Sequence, residues 1–345
     1  MSRAQLTSTV EQNTGGAVAP FVAGKNKIIN GDFGVWQRGT SFTTTAGTST
    51  YYADRYQSYW NGGVSVVISQ QNFTPGTAPV AGYESSYFYR WAQATNGSGM
   101  TYCSIAYQPI ENVRTFAGQT VTISFWAKAD AARQLDVGVF PTYGTGGSAA
   151  VYNYATLGMN ITTNWTRYSI TYNVPSVAGK TIGAGSYLAI SIEPTAKNTA
   201  QTIDLWGVQV EAGSVATPFT TATGTLSGEL MACQRYYWRL NGSDVSGSTI
   251  ANICNGYVES STVITGIYNF PIQMRIPPSI AGGASTNFIA LGGGSFHYPA
   301  TLSTQAISKI NARISLTQTS LTAYQAGALL MSYNATDYLE HSAEL

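Results

Sequence analysis

The chain alternates apolar and polar residues with a period of two over many short runs. The clearest is 120–129, where Val121, Ile123, Phe125 and Ala127 fall on one side and Thr122, Ser124, Trp126 and Lys128 on the other. Period-two alternation is the mark of a strand with one face buried. Similar runs at 85–94, 101–108, 134–141, 165–174, 186–193 and 202–211 are rich in β-branched and aromatic residues and separated by Gly, Asn, Pro and Ser. Asn61-Gly62-Gly63 lies between an aromatic run at 51–60 and Val64-Ser65-Val66-Val67-Ile68, a pattern that predicts a hairpin. Further strands are expected at 250–259, 263–270, 288–291, 310–317 and 328–333.

This spacing, without intervening helical segments, predicts an all-β fold made of antiparallel sandwiches. Four segments are expected. Residues 1–25 are small, polar and aperiodic and form an N-terminal arm. Residues 26–220 form a jelly-roll β-sandwich. Residues 221–240 form a linker or neck, with 229–240 helical at its start and strand-like at Tyr236-Tyr237-Trp238. Residues 241–345 form a second, smaller antiparallel β-sandwich-like domain. No period of 20–50 residues recurs, which argues against a β-helix or propeller.

Composition sharpens the picture. Charged residues make up 10% of the 345, against about 25% in ordinary globular chains. The surface is therefore expected to be built from Ser, Thr, Asn, Gln, Gly and Tyr, as on extracellular or virion β-proteins. Seventeen basic and sixteen acidic residues form no basic stripe, so neither nucleic acid nor a membrane surface is an expected partner. No run is long and apolar enough to span a bilayer, and the first residues lack the apolar core of a secretory signal. Cys103, Cys233 and Cys254 are too scattered for a disulfide framework. They are expected as buried thiols, with a Cys233–Cys254 pair as the alternative.

Several motifs carry a resemblance. They are Asn26-Lys27-Ile28-Ile29-Asn30-Gly31-Asp32-Phe33 followed by Val35-Trp36-Gln37-Arg38-Gly39, then Tyr52-Ala53-Asp54-Arg55-Tyr56. The strands at 121–129, 165–174 and 203–219 follow, and then Glu229-Leu230-Met231-Ala232-Cys233-Gln234-Arg235-Tyr236-Tyr237. Together they resemble bacteriophage fibre and tail proteins that contain a carbohydrate-binding-module-like jelly roll. The resemblance covers 26–240 well and 241–345 loosely. It implies a virion location after assembly in the host cytoplasm, a homotrimer, and a role at the host surface. Other virion proteins are then expected to hold the N-terminal arm.

The candidate chemistry is binding rather than catalysis. The sixteen acids include no DxD, ExE or ExxH arrangement to suggest the paired carboxylates of glycoside hydrolysis. His297 and His341 have no nucleophile-elbow motif near them and are expected as loop histidines without a special role. The chain is therefore expected not to be an enzyme and to need no cofactor, although a structural Ca²⁺ is possible. For such an ion, Asp32 at the first strand and Asp204 at the last are the candidate ligands, on the family's jelly-roll closure. A turn or an ion pair with Arg38 or Arg55 is the more common role for such a residue.

Tyr87, Tyr89 and Trp91 alternate on one strand and share a face, suited to stacking on successive sugar rings. Trp126 and Trp60 extend this candidate glycan site. The same aromatics suit a sandwich core or subunit interface, which is where large aromatics more often lie. Arg235, Tyr236, Tyr237 and Trp238 form the densest aromatic and basic run and are the expected oligomer interface. Three functions compete: a fibre, tail or decoration protein that binds host glycan or only cements the particle; a stand-alone carbohydrate-binding module; and a polysaccharide-degrading tailspike.

Overall fold

The computed structural model describes residues 24–45, 49–80, 83–242, 250–282, 288–332 and 337–345. The arm expected at 1–25 lies outside them except for Gly24 and Lys25. The Gly24 amide donates to the Ala222 carbonyl, and Lys25 pairs with Glu211 at 3.1 Å. The chain divides into two compact units: 1–34, 40–52 and 56–229 in one, and 35–39, 53–55 and 230–345 in the other.

The first unit is a jelly-roll sandwich. Its strands are β1 (Ser41–Thr44), β2 (Thr50–Tyr51), β3 (Gln57–Trp60), β4 (Val66–Asn72), β5 (Tyr87–Gln93) and β6 (Cys103–Glu111), then β7 (Thr120–Ala129), β8 (Arg133–Thr142), β9 (Asn153–Ile161), β10 (Thr166–Asn173), β11 (Tyr187–Pro194) and β12 (Gln201–Ala212). One six-stranded sheet runs β1-β4-β5-β12-β7-β10 and the other β2-β3-β6-β11-β8-β9. The alternation on β7 is realised, and Val121, Ile123, Phe125 and Ala127 are fully buried. So are Leu135, Val137 and Val139 of β8 and Leu188 of β11. The outward face of the β7 sheet is also covered, because Phe73, Phe88, Trp126, Trp206 and Phe219 form a second apolar cluster there.

Asn61-Gly62-Gly63 does not close a hairpin. β3 pairs with β2 and β6, and β4 with β1 and β5, so the turn carries the chain from one sheet to the other. Asn61 serves this crossover by accepting the Thr101 and Tyr102 amides on its side-chain oxygen, at 2.8 and 3.0 Å.

The second unit is antiparallel β as well. Helix α1 (Leu226–Gln234) leads into it, capped by the Thr225 hydroxyl, which accepts the Gly228 amide at 3.0 Å. β13 (Tyr237–Asn241), β16 (Ser279–Gly282) and β21 (Tyr338–Ser342) form a small sheet in the order β13-β21-β16. β14 (Ile250–Ser260), β15 (Val263–Asn269), β17 (Phe288–Gly292), β18 (Ser295–Ile307), β19 (Asn311–Thr317) and β20 (Ala326–Ser332) close into a barrel, β14-β15-β19-β18-β17-β20. Closure pairs every strand on both sides, which removes the exposed edges of an open sheet. Val258, Ile264, Phe288, Ile314, Leu316 and Leu329 fill the interior. All three cysteines are free and buried, so Cys233 and Cys254 form no pair.

The helix-then-strand reading of 229–240 agrees with α1 and β13. The aromatic groups of the Arg235–Trp238 run, expected at an oligomer interface, make contacts within the chain. Arg55 lies 3.5 Å above the Tyr236 ring and Arg38 3.4 Å above the Tyr237 ring. Tyr236 and Tyr237 are 4% and 2% exposed, and Trp238 stacks on His341 at 4.6 Å. Arg235 lies 5.9 Å from the Tyr236 ring. Glu344 pairs with both Arg38 and Arg55, and Asp54 with Arg38. Asp54 also accepts the Gln37 amide at 2.6 Å. These contacts explain why the motif residues 35–39 and 53–55 belong to the second unit although their neighbours in sequence belong to the first.

Candidate functional site

The outward face of the β6-β11-β8 sheet carries a cleft of about 500 Å³. Its strands alternate with the core. On β11, Leu188, Ile190 and Ile192 point inward, which leaves Tyr187, Ala189, Ser191 and Glu193 on the cleft side. On β8, Asp136, Gly138 and Phe140 lie opposite Glu193, Ser191 and Ala189. Tyr59, Tyr102, Tyr107, Phe140, Tyr152, Tyr154 and Tyr187 line the walls, with Gln57, Ser49 and Glu193 as the polar groups between them.

The aromatics hold one another in place. Phe140 stacks against Tyr107 at 6.3 Å, meets Tyr152 at 5.3 Å and stands edge-on to Tyr154 at 5.7 Å. Tyr59 is edge-on to Tyr107 at 5.6 Å and 6.0 Å from Tyr102. Gly138 makes this possible, because a Cβ there would stand 2.2 Å from Phe140 Cζ. Tyr152, Tyr154 and Tyr102 remain 73%, 43% and 49% exposed. Pre-set aromatic faces of this kind bind without a large ordering cost.

The floor is polar and internally bonded. Ser104 and Ser191 hydroxyls are 2.8 Å apart, and Ser191 donates to Glu193 at 2.8 Å. Tyr154 donates to the other Glu193 oxygen at 3.1 Å. Burial raises the Glu193 carboxyl above its usual range, against the lowering effect of those two hydroxyls. Burial and the neighbouring Glu193 push the Tyr154 hydroxyl up to about 12. Asp136, the cross-strand neighbour of Glu193, accepts from the Gly158 amide at 2.8 Å and the Thr195 hydroxyl at 2.7 Å. No Lys or Arg lines the cleft among the described residues.

A second cavity lies along the same strands. Gln134, two residues before Asp136, and Thr195, two after Glu193, line this cavity of about 620 Å³ with Arg133, Asn160 and Thr162. From Gln134 to Phe140 the strand advances roughly 20 Å at about 3.4 Å per residue. The two cavities thus lie along the same strands, one lined by aromatic rings and the other by amides.

None of the glycan residues expected from sequence lines this cleft. Tyr89 and Trp91 share a face, but it is the inner one, and both are fully buried. Trp60 is 1% exposed and donates to the Val64 carbonyl. Trp126 does face away from the main core, yet the aromatic cluster around Trp206 covers it, and Arg167 lies 4.6 Å above its ring. Tyr87 alone is accessible and lines a separate cavity of about 390 Å³ with Asp32, Tyr83 and Glu84. Asp32 and Asp204, the candidate metal ligands, each have other partners. Arg90 holds both Asp204 oxygens at 2.7 and 2.8 Å, with Lys128 at 3.6 Å, so a cation there would face a guanidinium. Asp32 accepts from the Tyr83 hydroxyl at 3.1 Å, and burial raises its carboxyl. Among the described residues no three His, Cys, Asp or Glu side chains gather as a metal site.

The sequence matches no protein-family model and no curated protein. Solved structures of similar fold include the CBM22-1 xylan-binding domain of Paenibacillus barcinonensis Xyn10C, at 17% identity and a TM-score of 0.32, covering 57% of this chain and 99% of that domain. The tandem CBM22-1–CBM22-2 domain of the same protein aligns at 12% identity and TM-score 0.32, over 95% of this chain and 100% of the tandem. The enzymatically active domain of tailspike protein 4 of bacteriophage CBA120 aligns at 17% identity and TM-score 0.32, over 55% of this chain and 22% of its own. At these values the likeness carries no argument about this chain, and function has to be read from the cleft.

Proposed function

We propose that the jelly-roll unit binds an extended polysaccharide along the aromatic trough without cleaving it. The observation that carries this is the wall of seven aromatic rings over a hydroxyl and carboxylate floor. Aromatic faces stack on the C–H faces of sugar rings, and the floor supplies donors and acceptors for hydroxyl groups. The aromatic cleft has no lining cation among the described residues, and Arg133 in the neighbouring cavity is paired with Asp130, which favours a neutral glycan. Asp136 and Glu193 both rise from one floor and both are held by internal donors, whereas glycoside hydrolysis needs carboxyls flanking the bond. Non-catalytic binding is therefore the better reading, with a tailspike-type hydrolase as the alternative.

The motif resemblance supports a setting in a bacteriophage particle, where the protein serves as a fibre, tail or head-attached component that contacts host-surface glycan. A homotrimer, and attachment to other virion proteins through residues 1–25, belong to the same proposal. A particle-stabilising role without ligand is the other reading of that setting.

Affinity electrophoresis through host polysaccharide tests the cleft. Tyr152→Ala and Tyr154→Ala remove exposed rings and should each weaken retardation by about tenfold, the equivalent of ~1.4 kcal/mol. Retardation unchanged in the double variant would overturn the assignment. Release of new reducing ends, lost in Glu193→Gln, would establish the hydrolase instead. Light scattering and a reconstruction of the particle test the trimer and its position.

A further inference from the structure

The outer wall of the C-terminal barrel carries a second constellation of the same chemical kind. Ile264, Ile314 and Leu316 point into the barrel core, so alternation turns Thr265 and Ser315 outward. Both are nevertheless buried, at 1% and 3% exposed. The strand register explains why. Tyr257 of β14 lies opposite Thr265, Thr265 opposite Ser315, and Ile267 opposite Arg313, so larger side chains rise around two small hydroxyls. The outcome is a depression of about 400 Å³ lined by Asn255, Tyr257, Thr265, Ile267 and Arg313 with the Gly256 and Gly266 backbone between them. Tyr257 is 49% and Ile267 62% exposed at its rim.

The polar groups here converge. Glu259 Oε2 accepts the Thr265 hydroxyl at 2.7 Å and one Arg313 nitrogen at 3.2 Å. A guanidinium has five N–H donors, so most of Arg313's remain for a ligand, and Glu259 keeps a second oxygen as an acceptor. The Arg313–Glu259 pair cancels its own charge. An ionic ligand therefore gains little, while a molecule of many hydroxyls meets fixed donors and acceptors beside a flat ring. An apolar side chain in the same place would strand those groups without partners.

We propose that this depression is a second saccharide site, taking one or two rings of a neutral sugar through Tyr257, Asn255 and Arg313. It is independent of the jelly-roll trough and stands even where the trough reading fails. Its size lies within the range of small-ligand sites, and its lining has the mix of an aromatic platform with a few placed polar groups that such sites use.

Saturation-transfer NMR on the full chain tests the site, with glucose, galactose, mannose and N-acetylglucosamine as separate probes. At least one should receive saturation. That transfer should survive Tyr152→Ala in the trough and should weaken by about tenfold in apparent affinity in both Tyr257→Ala and Arg313→Gln. Ile267→Asp, at an exposed position, is a further variant should either of these not fold, and should give the same loss. The proposal is overturned by absence of transfer from all four sugars. It is equally overturned by transfer that Tyr152→Ala removes, or by transfer that the barrel variants leave intact. Polysaccharide retardation lost only in Tyr152→Ala and Tyr154→Ala would uphold the trough while the barrel site fell.

Discussion

Replacing His341 with Gln should make the C-terminal unit gain stability on acidification relative to the parent. His341 has no exposed surface and sits among Trp238, Tyr268 and Phe270, with ring centres at 4.6, 5.5 and 5.2 Å. Its Nδ1 lies 3.2 Å from the Trp238 carbonyl, which can only accept, so Nδ1 carries the proton and Nε2 accepts from the Tyr268 hydroxyl. Burial lowers the imidazolium pKa from 6.5 to about 4. Between those values the unfolded chain binds a proton that the folded chain refuses, so stability falls as pH drops. The difference corresponds to ~3 kcal/mol.

Asp54 works in the opposite sense. It is 1% exposed, and burial raises its carboxyl from 3.8 to about 6 despite Arg38. The folded chain takes up this proton first, so the contribution is complete below 3.8 and is lost as pH rises through 6. It too amounts to ~3 kcal/mol. In the native chain the two nearly cancel between pH 6 and 4. His341→Gln keeps a donor and an acceptor but cannot titrate, so its C-terminal unit should gain up to ~3 kcal/mol on acidification relative to the parent. Asp54→Asn should lose a similar amount. Hydrogen exchange of the β14–β20 amides, read by mass spectrometry across this pH range, reports the unit directly. Groups common to both chains drop out of the difference between variant and parent. A His341→Gln profile parallel to the parent's would refute the reasoning.

Three further outcomes are expected. Gly138→Ala should displace the Phe140 ring, because the new Cβ would stand 2.2 Å from it; titration with host polysaccharide should show weaker binding while circular dichroism remains that of the parent. Glu344→Gln removes the carboxylate that pairs with both Arg38 and Arg55, and denaturant unfolding should show a loss of about 3–5 kcal/mol in the C-terminal unit. Addition of EDTA or Ca²⁺ should leave the melting temperature where it was, because Arg90 already occupies Asp204; a rise of several degrees with Ca²⁺ would show a site that these residues do not form.

Much of the fold could be read from the period-two pattern, since a strand with one buried face must alternate. β7 is the clearest case, and Tyr187–Glu193 equally displays its cleft face as Tyr187, Ala189, Ser191 and Glu193. The same pattern does not say which side of a strand is the inside. Tyr87, Tyr89 and Trp91 share a face, and the reading that they meet a ligand overlooked Arg90 between them. A charged residue on the opposite face, here paired with Asp204, implies that the aromatic face turns inward. The pattern does not mark β9, which is mostly half-buried and bent at Gly158, where φ is +68°. With it went Tyr154, and with the preceding loop went Tyr152, which complete the cleft. The Arg235–Trp238 run suggests a subunit contact because its partners, Arg38, Arg55 and His341, lie more than 100 residues away in sequence, a distance that local pattern cannot bridge.

The discontinuity of the C-terminal unit bears on how the chain can be cut and recombined. A boundary drawn near 230 leaves Tyr236 and Tyr237 without the guanidiniums above them, and Glu344 without either cation. A fragment beginning there would expose aromatic rings to water and carry a carboxylate built for partners that stayed behind. The barrel is therefore not a cassette that a single crossover can transplant. Any exchange that preserves it must also carry residues 35–39 and 53–55, and these sit inside the sequence of the other unit. Recombination that swaps the aromatic cleft while keeping the barrel has to retain those two islands, so they should travel with the barrel rather than with the strands that surround them.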